Sequence, residues 1–260
     1  MRFDDYLKRV GIRRPAASAL DALRELHRGH SAAFLFENLS IQTGGRISLA
    51  LCDLEEKFLD CGRGGYCFEH NTLFAAVLRD IGLDSATLLG RVRRGPRERW
   101  CRTHMVLRVV IGDCAWLADV GFGGMGLLEP IPLAEGPAAD QGGFTYRLRR
   151  ERELWVLSAR DSAAETDMYE FAEDPQTPWD VEVANHFTAT HPESIFRKAL
   201  TIQRSGSRER TILRSGMLTR YRDGVMTEEP VARDRLADVA EAEFGVRLPD
   251  GPFVFEEYIR

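Results

Sequence analysis

Residues Cys61–Asn71 read Cys-Gly-Arg-Gly-Gly-Tyr-Cys-Phe-Glu-His-Asn, and Thr72-Leu73-Phe74-Ala75-Ala76-Val77-Leu78 follow without a break. Three glycines within four positions (Gly62, Gly64 and Gly65) make a bend that bulkier residues would block. The residues from Cys67 onward carry apolar side chains at helical spacing, so the bend delivers a cysteine to the first turn of a helix. Unpaired first-turn amides and the partial positive charge of a helix start favour a thiolate there. The stretch therefore reads as the seat of a cysteine nucleophile, provided that the chain also supplies a base and a group to orient it.

Upstream, the pattern is helical over residues 1–84. Phe3–Val10 stops at Gly11, and Ala16–Arg28 carries Leu20, Leu23 and Leu26 on one side and is expected to stop at Gly29. Ser48 reads as the cap of a helix bearing Leu49, Cys52, Leu54 and Phe58. Downstream the period falls to two. Thr87–Arg93 is strand-like, and Thr103–Ile111 places Met105, Leu107, Val109 and Ile111 on one face. Gly112-Asp113 turns the chain into Cys114–Val120, a hairpin signal. Phe144–Arg150, Leu154–Ala159 and Met168–Phe171 continue an antiparallel series, which suggests a barrel or a strongly curved sheet. After Trp179–Ser194, short strands and a helix expected over Val231–Phe244 form a small α/β unit.

The hairpin supplies the partners. With Gly112-Asp113 as a two-residue turn, Ile111 faces Cys114, Val106 faces Asp119 and His104 faces Gly121. His104 and Asp119 then share a face as diagonal cross-strand neighbours about 7 Å apart, within reach of an imidazole–carboxylate bond. A slip of one residue would separate them. Cysteine attacks as a thiolate, histidine holds the proton near neutral pH, and a carboxylate selects the tautomer and steadies the imidazolium. The same residues have plainer readings: Cys67 as a buried structural cysteine, His104 as a strand-edge surface residue, Asp119 as a turn cap. Cys61, Cys67, His70, Cys101 and His104 also offer zinc-ligand chemistry, although their C-x5-C and C-x2-H spacings match no standard zinc framework.

Composition narrows the classes. The chain has 260 residues, a net charge of −5 and 29% charged residues; its 32 arginines against three lysines include no run longer than two. That balance argues against a protein that tracks a nucleic-acid backbone. Five cysteines, an N-terminus unlike a signal peptide and the lack of an 18-residue apolar run point to a reduced, cytoplasmic protein with no membrane partner. No sequence feature reports the oligomeric state.

At these same residues the chain resembles the arylamine N-acetyltransferases. Arg63-Gly64-Gly65-Tyr66-Cys67-Phe68-Glu69 is similar to the family's nucleophile motif, Thr103-His104-Met105 to its histidine segment and Asp119-Val120-Gly121-Phe122-Gly123 to its aspartate segment. Phe36-Glu37-Asn38-Leu39 and Asn185 with Phe187–Phe196 resemble two further motifs, and all five lie in order along the chain. The resemblance implies an α+β fold with a papain-like catalytic core: an N-terminal helical bundle (1–84) carrying Cys67, a central antiparallel β-barrel (85–190) carrying His104 and Asp119, and a C-terminal α/β lid (191–260). It implies transfer of acetyl from acetyl-CoA, a co-substrate rather than a bound cofactor, to an arylamine, arylhydrazine or N-arylhydroxylamine through an acetyl-cysteine. Its alternative is the chemistry of the related amide synthases, which release and cyclise a polyketide thioester by attack of an aryl amine. No metal is implied. A weakly basic aromatic acceptor calls for an apolar slot, for which Phe36, Phe122, Met125 and Phe187 are the candidates. The loop Gly121–Gly126 lacks the Lys-Ser/Thr of a Walker loop, yet the backbone of Gly121, Phe122, Gly123 and Gly124 could meet the CoA pyrophosphate. Asn38 and Glu69 are expected to be structural, and Cys61 and His70 bystanders.

Overall fold

The computed structural model describes residues 1–136, 139–222, 225–250 and 252–254. The chain begins with α1 (Phe3–Val10) and α2 (Ala19–Ala33), then β1 (Phe36–Glu37), α3 (Leu39–Gln42), α4 (Leu51–Glu55) and α5 (Cys67–Asp80). Gly11 closes α1 in the left-handed conformation, as its position suggests. Gly29 does not close α2, which runs four residues further. The reason is packing rather than propensity. A Cβ at Gly29 would lie 3.1 Å from Ile12 and 3.2 Å from Val10, so the glycine lets α2 pass close to the segment after α1. Ser18 caps α2 by accepting the Asp21 amide.

Eight strands follow α5 before the chain returns to helix. β2 (Ser85–Val92), β3 (Arg102–Ile111), β4 (Cys114–Ala118), β5 (Ile131–Pro132), β6 (Ala139–Gln141), β7 (Phe144–Glu151), β8 (Leu154–Arg160) and β9 (Glu165–Phe171) form one eight-stranded sheet in the order β5-β4-β3-β2-β9-β8-β7-β6, all described pairs antiparallel. It curls into a nearly closed barrel around Leu88, Val106, Leu117, Tyr146, Leu157 and Tyr169. The opposite face of β3, with Met105, Leu107 and Val109, packs on the helices. The two-period pattern of β3 thus serves two cores at once.

The chain returns through α6 (Pro178–Thr190), capped by Thr177, and α7 (Ile195–Lys198). A second antiparallel sheet joins β1 to β10 (Thr201–Ser205), β11 (Glu209–Arg214), β12 (Met217–Arg222) and β13 (Val225–Pro230). The last helix, α8 (Leu236–Phe244), begins five residues later than the sequence suggests, after a 3-10 turn at Arg233–Arg235, and ends on left-handed Gly245. Asn38 ties the N-terminal helices to α7 and β10: its Nδ2 donates to Phe196 O (2.8 Å) and Ala199 O (2.7 Å), and its Oδ1 accepts Thr201 N (2.8 Å). No helix among the described residues is long and apolar enough to cross a membrane.

Candidate active site

The turn before α5 is held against β1. Gly65 N donates to Leu35 O (3.3 Å) and Glu37 N to Gly65 O (2.7 Å). A Cβ at Gly64 would stand 1.7 Å from the Leu35 carbonyl oxygen, so this position excludes every side chain. Glu69 reaches back from the first turn of α5 to accept the Tyr66 amide (3.1 Å) and pairs with Lys57 (2.6 Å). Glu37 pairs with Arg63 (2.7 Å). Cys67 is thereby fixed as the first residue of α5, 2% exposed.

The assumed hairpin register is the observed one: Ile111 pairs with Cys114 and Leu107 with Ala118. Pairing stops at Ala118, so Asp119 stands just past the strand end. On the other side of β3, Gly90 pairs with His104 but Arg91 with Arg102, leaving Thr103 as an extra residue. This bulge turns the Thr103 carbonyl toward Cys67, whose Sγ lies 3.6 Å from it.

His104 Nε2 lies 2.8 Å from Asp119 Oδ2. The carboxylate also accepts from Tyr169 Oη at the same oxygen (2.9 Å), and from Gly121 N (2.9 Å) and Asn71 Nδ2 (3.2 Å) at Oδ1. Burial alone pushes the Asp119 carboxyl up, but His104 and the Gly121 and Asn71 donors outweigh it and hold it below the usual range. Burial alone would lower His104. The Asp119 charge and hydrogen bond, with a smaller contribution from a hydrogen bond to Cys67, raise it instead to about 10. With Nε2 committed to Asp119, the other ring nitrogen is the one left for Cys67. Tyr169 (4.7 Å between ring centroids) and Phe122 (5.1 Å, edge-on) wall the imidazole. The turn-cap reading of Asp119 accounts for the Gly121 contact alone, and His104, 3% exposed, is not a surface residue.

Several partners escaped sequence reading. Asn71 lies one helical turn after Cys67 on the same face of α5. Besides Asp119 it donates to Met105 O (2.8 Å) and accepts Val120 N (3.3 Å), locking α5 to both strands of the hairpin. The i, i+4 spacing from Cys67 was the available signal. Tyr169 and His27 had none, since they come from β9 and α2. His27 Nε2 accepts Asp119 N (3.1 Å), and its Nδ1 therefore carries the proton given to Leu128 O (3.0 Å). Burial lowers it to about 4, so this imidazole is neutral and closes the base of the loop between Asp119 and Leu128. His70 is outside the Cys67 constellation. It donates from Nε2 to Leu35 O (3.1 Å) and accepts at Nδ1 from His30 (2.9 Å), which accepts from Tyr6 Oη (3.0 Å).

Phe36, Phe122 and Gly123 line one small cleft with Asp119, Ser31 and Gln203. Met125 and Phe187 lie outside it. Met125 packs half-buried on the barrel core, and Phe187 is stacked on His191 (4.4 Å) on the exposed face of α6. In the glycine loop, Gly121 N is spent on Asp119, Gly124 N on Gln203 Oε1 and Gly126 N on Gly123 O. That leaves the amides of Phe122, Gly123 and Met125 for any anionic ligand. Among the described residues, no cluster of three or more His, Cys, Asp or Glu is placed to hold a metal ion; Cys61 and Cys101 are exposed free thiols.

The sequence profile of the N-acetyltransferase family matches residues 19–252. An arylamine N-acetyltransferase / N-hydroxyarylamine O-acetyltransferase of Salmonella typhimurium is 36% identical over 256 residues, covering 97% of this chain and 91% of the relative. The arylamine N-acetyltransferase of Mycolicibacterium smegmatis is 34% identical, covering 96% and 94%. The solved S. typhimurium arylamine N-acetyltransferase superposes with a TM-score of 0.87 at 35% identity, over 95% of this chain and 92% of that one. The Mycobacterium marinum enzyme solved in complex with CoA gives 0.87 at 32% identity, over 94% and 92%. Family profile, full-length relatives and shared fold agree, and the chain belongs to the arylamine N-acetyltransferase family of enzymes.

Proposed function

We propose that the enzyme carries acetyl from acetyl-CoA to an arylamine, arylhydrazine or N-arylhydroxylamine in two half-reactions on Cys67. The connection from Cys67 through His104 to Asp119 carries this reading. The Cys67 thiolate, facing the His104 imidazolium, attacks the thioester carbonyl. The oxyanion gathers at the first turn of α5, where the amides point outward. As the C–S bond to CoA breaks, His104 gives its proton to the departing thiolate, and free CoA leaves. The amine then attacks the acetyl-Cys67 thioester while neutral His104 takes the amine proton. Collapse releases the N-acetyl product and restores the thiolate–imidazolium pair. Asp119 keeps the Nε2–H tautomer throughout.

The acceptor ring enters between Phe36 and Phe122, which face one cleft beside Asp119. Met125 and Phe187 remain candidates for its outer edge. The CoA pyrophosphate meets the loop through Phe122 N and Gly123 N, two of the amides left unspent, with Gly121 and Gly124 shaping the turn. The units 1–84, 85–190 and 191–260 divide the labour as nucleophile, base and lid, β1 being the strand that the first unit lends to the last. The same three side chains would serve an amide synthase; the relatives described above are named arylamine N-acetyltransferases, which favours acetyl-CoA as donor. Acetyl-CoA without amine should place an acetyl group on the Cys67 peptide and release CoA, read by mass spectrometry and thiol titration. Cys67→Ala should remove both and stay folded. A folded wild-type protein that forms no adduct and transfers nothing to an arylamine ends this reading.

A further inference from the structure

The loop after Asp119 is pinned at its tip by the C-terminal sheet. Gln203, on β10, accepts the Gly124 amide, and its Nε2 donates to Thr201 Oγ1 (2.8 Å), which keeps its oxygen turned to the loop. Arg210, on β11, donates from Nη1 to Gly124 O (2.5 Å) and Gly126 O (2.8 Å) and from Nη2 to Tyr146 Oη (3.0 Å). Tyr146 in turn donates toward Met125 O (2.8 Å) and Gly126 O (2.9 Å). The Arg210 guanidinium lies over the Phe144 ring at 4.5 Å and the residue is 1% exposed. No carboxylate among the described residues pairs with it, and its Nε has no hydrogen-bond partner.

A buried arginine without a counter-ion is an expensive way to fill space, since an apolar side chain of similar volume would cost less to desolvate. What the guanidinium offers instead is a rigid fork of donors, here converging on two carbonyls of one short loop. The loop carries Phe122, edge-on to His104, and Gln203 shares a cleft with Phe36 and Phe122. We propose that Arg210 and Gln203 are positioning residues that fix the loop 121–126 and with it the width of the aromatic slot, so that the C-terminal sheet selects the acceptor. This rests on the reading that the arylamine enters between Phe36 and Phe122.

Two measurements test it. In Arg210→Met, amide hydrogen exchange across residues 121–128 should speed up at least about tenfold, as expected for losing three hydrogen bonds from a charged donor. The strands β10–β12 should keep their protection, and Arg210→Lys should fall between. The second measurement compares kcat/KM for aniline with that for a two-ring amine such as 2-naphthylamine. In Arg210→Lys and Gln203→Met the ratio should move about tenfold toward the broader amine, a shift of one order in relative transition-state binding. Acylation of Cys67 by p-nitrophenyl acetate should stay within about twofold in Arg210→Lys. If Arg210→Met does not fold, the other two variants carry both measurements. Unchanged loop exchange overturns the proposal, as does an equal change for both amines. If the wild-type enzyme acetylated no arylamine, the functional reading would fall, and the exchange data would still decide whether these residues hold the loop.

Discussion

Replacing Asp119 by Asn changes one atom and inverts the hydrogen-bond logic of the site. The carboxylate accepts from four donors: His104 Nε2, Tyr169 Oη, Gly121 N and Asn71 Nδ2. An amide oxygen in the Oδ1 position keeps the Gly121 and Asn71 bonds, which leaves an NH2 group where two donors arrive. His104 can answer only by presenting an unprotonated Nε2, which moves its proton to Nδ1, the nitrogen needed by Cys67. The carboxylate charge that offsets burial also disappears, so the His104 pKa should fall from about 10 to below its ordinary value. An imidazole in the wrong tautomer lowers turnover about 10⁴-fold in enzymes that use the same logic. Pre-steady-state acylation by acetyl-CoA should drop by that order, and the imidazole resonances of His104 should titrate at lower pH. Far-UV circular dichroism should be unchanged. Acylation within tenfold of wild type, or a His104 pKa that stays high, would refute the assignment of Asp119.

Acid should weaken the fold before it touches the His104–Asp119 pair. Burial lowers His27 and His70 to about 4 and His30 well below its ordinary value, so the unfolded chain binds more protons as pH falls below about 6.5. Between pH 7.5 and 5.5, His27 and His70 together cost about 3 kcal/mol and His30 adds to it. His104, shifted upward, returns about 1 kcal/mol, a net loss of roughly 2 kcal/mol or more. Urea unfolding at the two pH values measures it, and equal stability at both would contradict the neutral-histidine reading. Gly121→Ala would put a Cβ 2.6 Å from Asn71 Nδ2 and 2.8 Å from Cys67 Cα; activity should fall at least about tenfold with a lower melting temperature, and a variant of normal rate would show that α5 and the hairpin can part. Tyr169→Phe removes one donor to Asp119 and should slow acylation by about tenfold without loss of folded protein, measured by the same burst assay.

Local chemistry made much of this protein legible from its residues. Cys67 at the start of α5 follows from three glycines and a helical run, and the His104–Asp119 pair follows from the turn at Gly112-Asp113, because the side-chain period of a hairpin is two and its register is set at the turn. What is set by neighbours in sequence can be read there. The failures share one cause. Gly29 looked like a helix end because its role is to let α2 pass Ile12, a contact between segments. His27, Tyr169, Gln203 and Arg210 converge on Asp119 and its loop from α2, β9, β10 and β11, and no spacing links them. Their positions come from barrel closure and from the docking of the second sheet through β1, events with no local period. The sequence by itself determined that Cys67 opens a helix and that His104 and Asp119 meet on one face of a hairpin. Tertiary packing decided which tautomers they hold, how the loop beside them is braced and how wide a slot is left for the substrate, because those depend on distances between segments far apart in the chain.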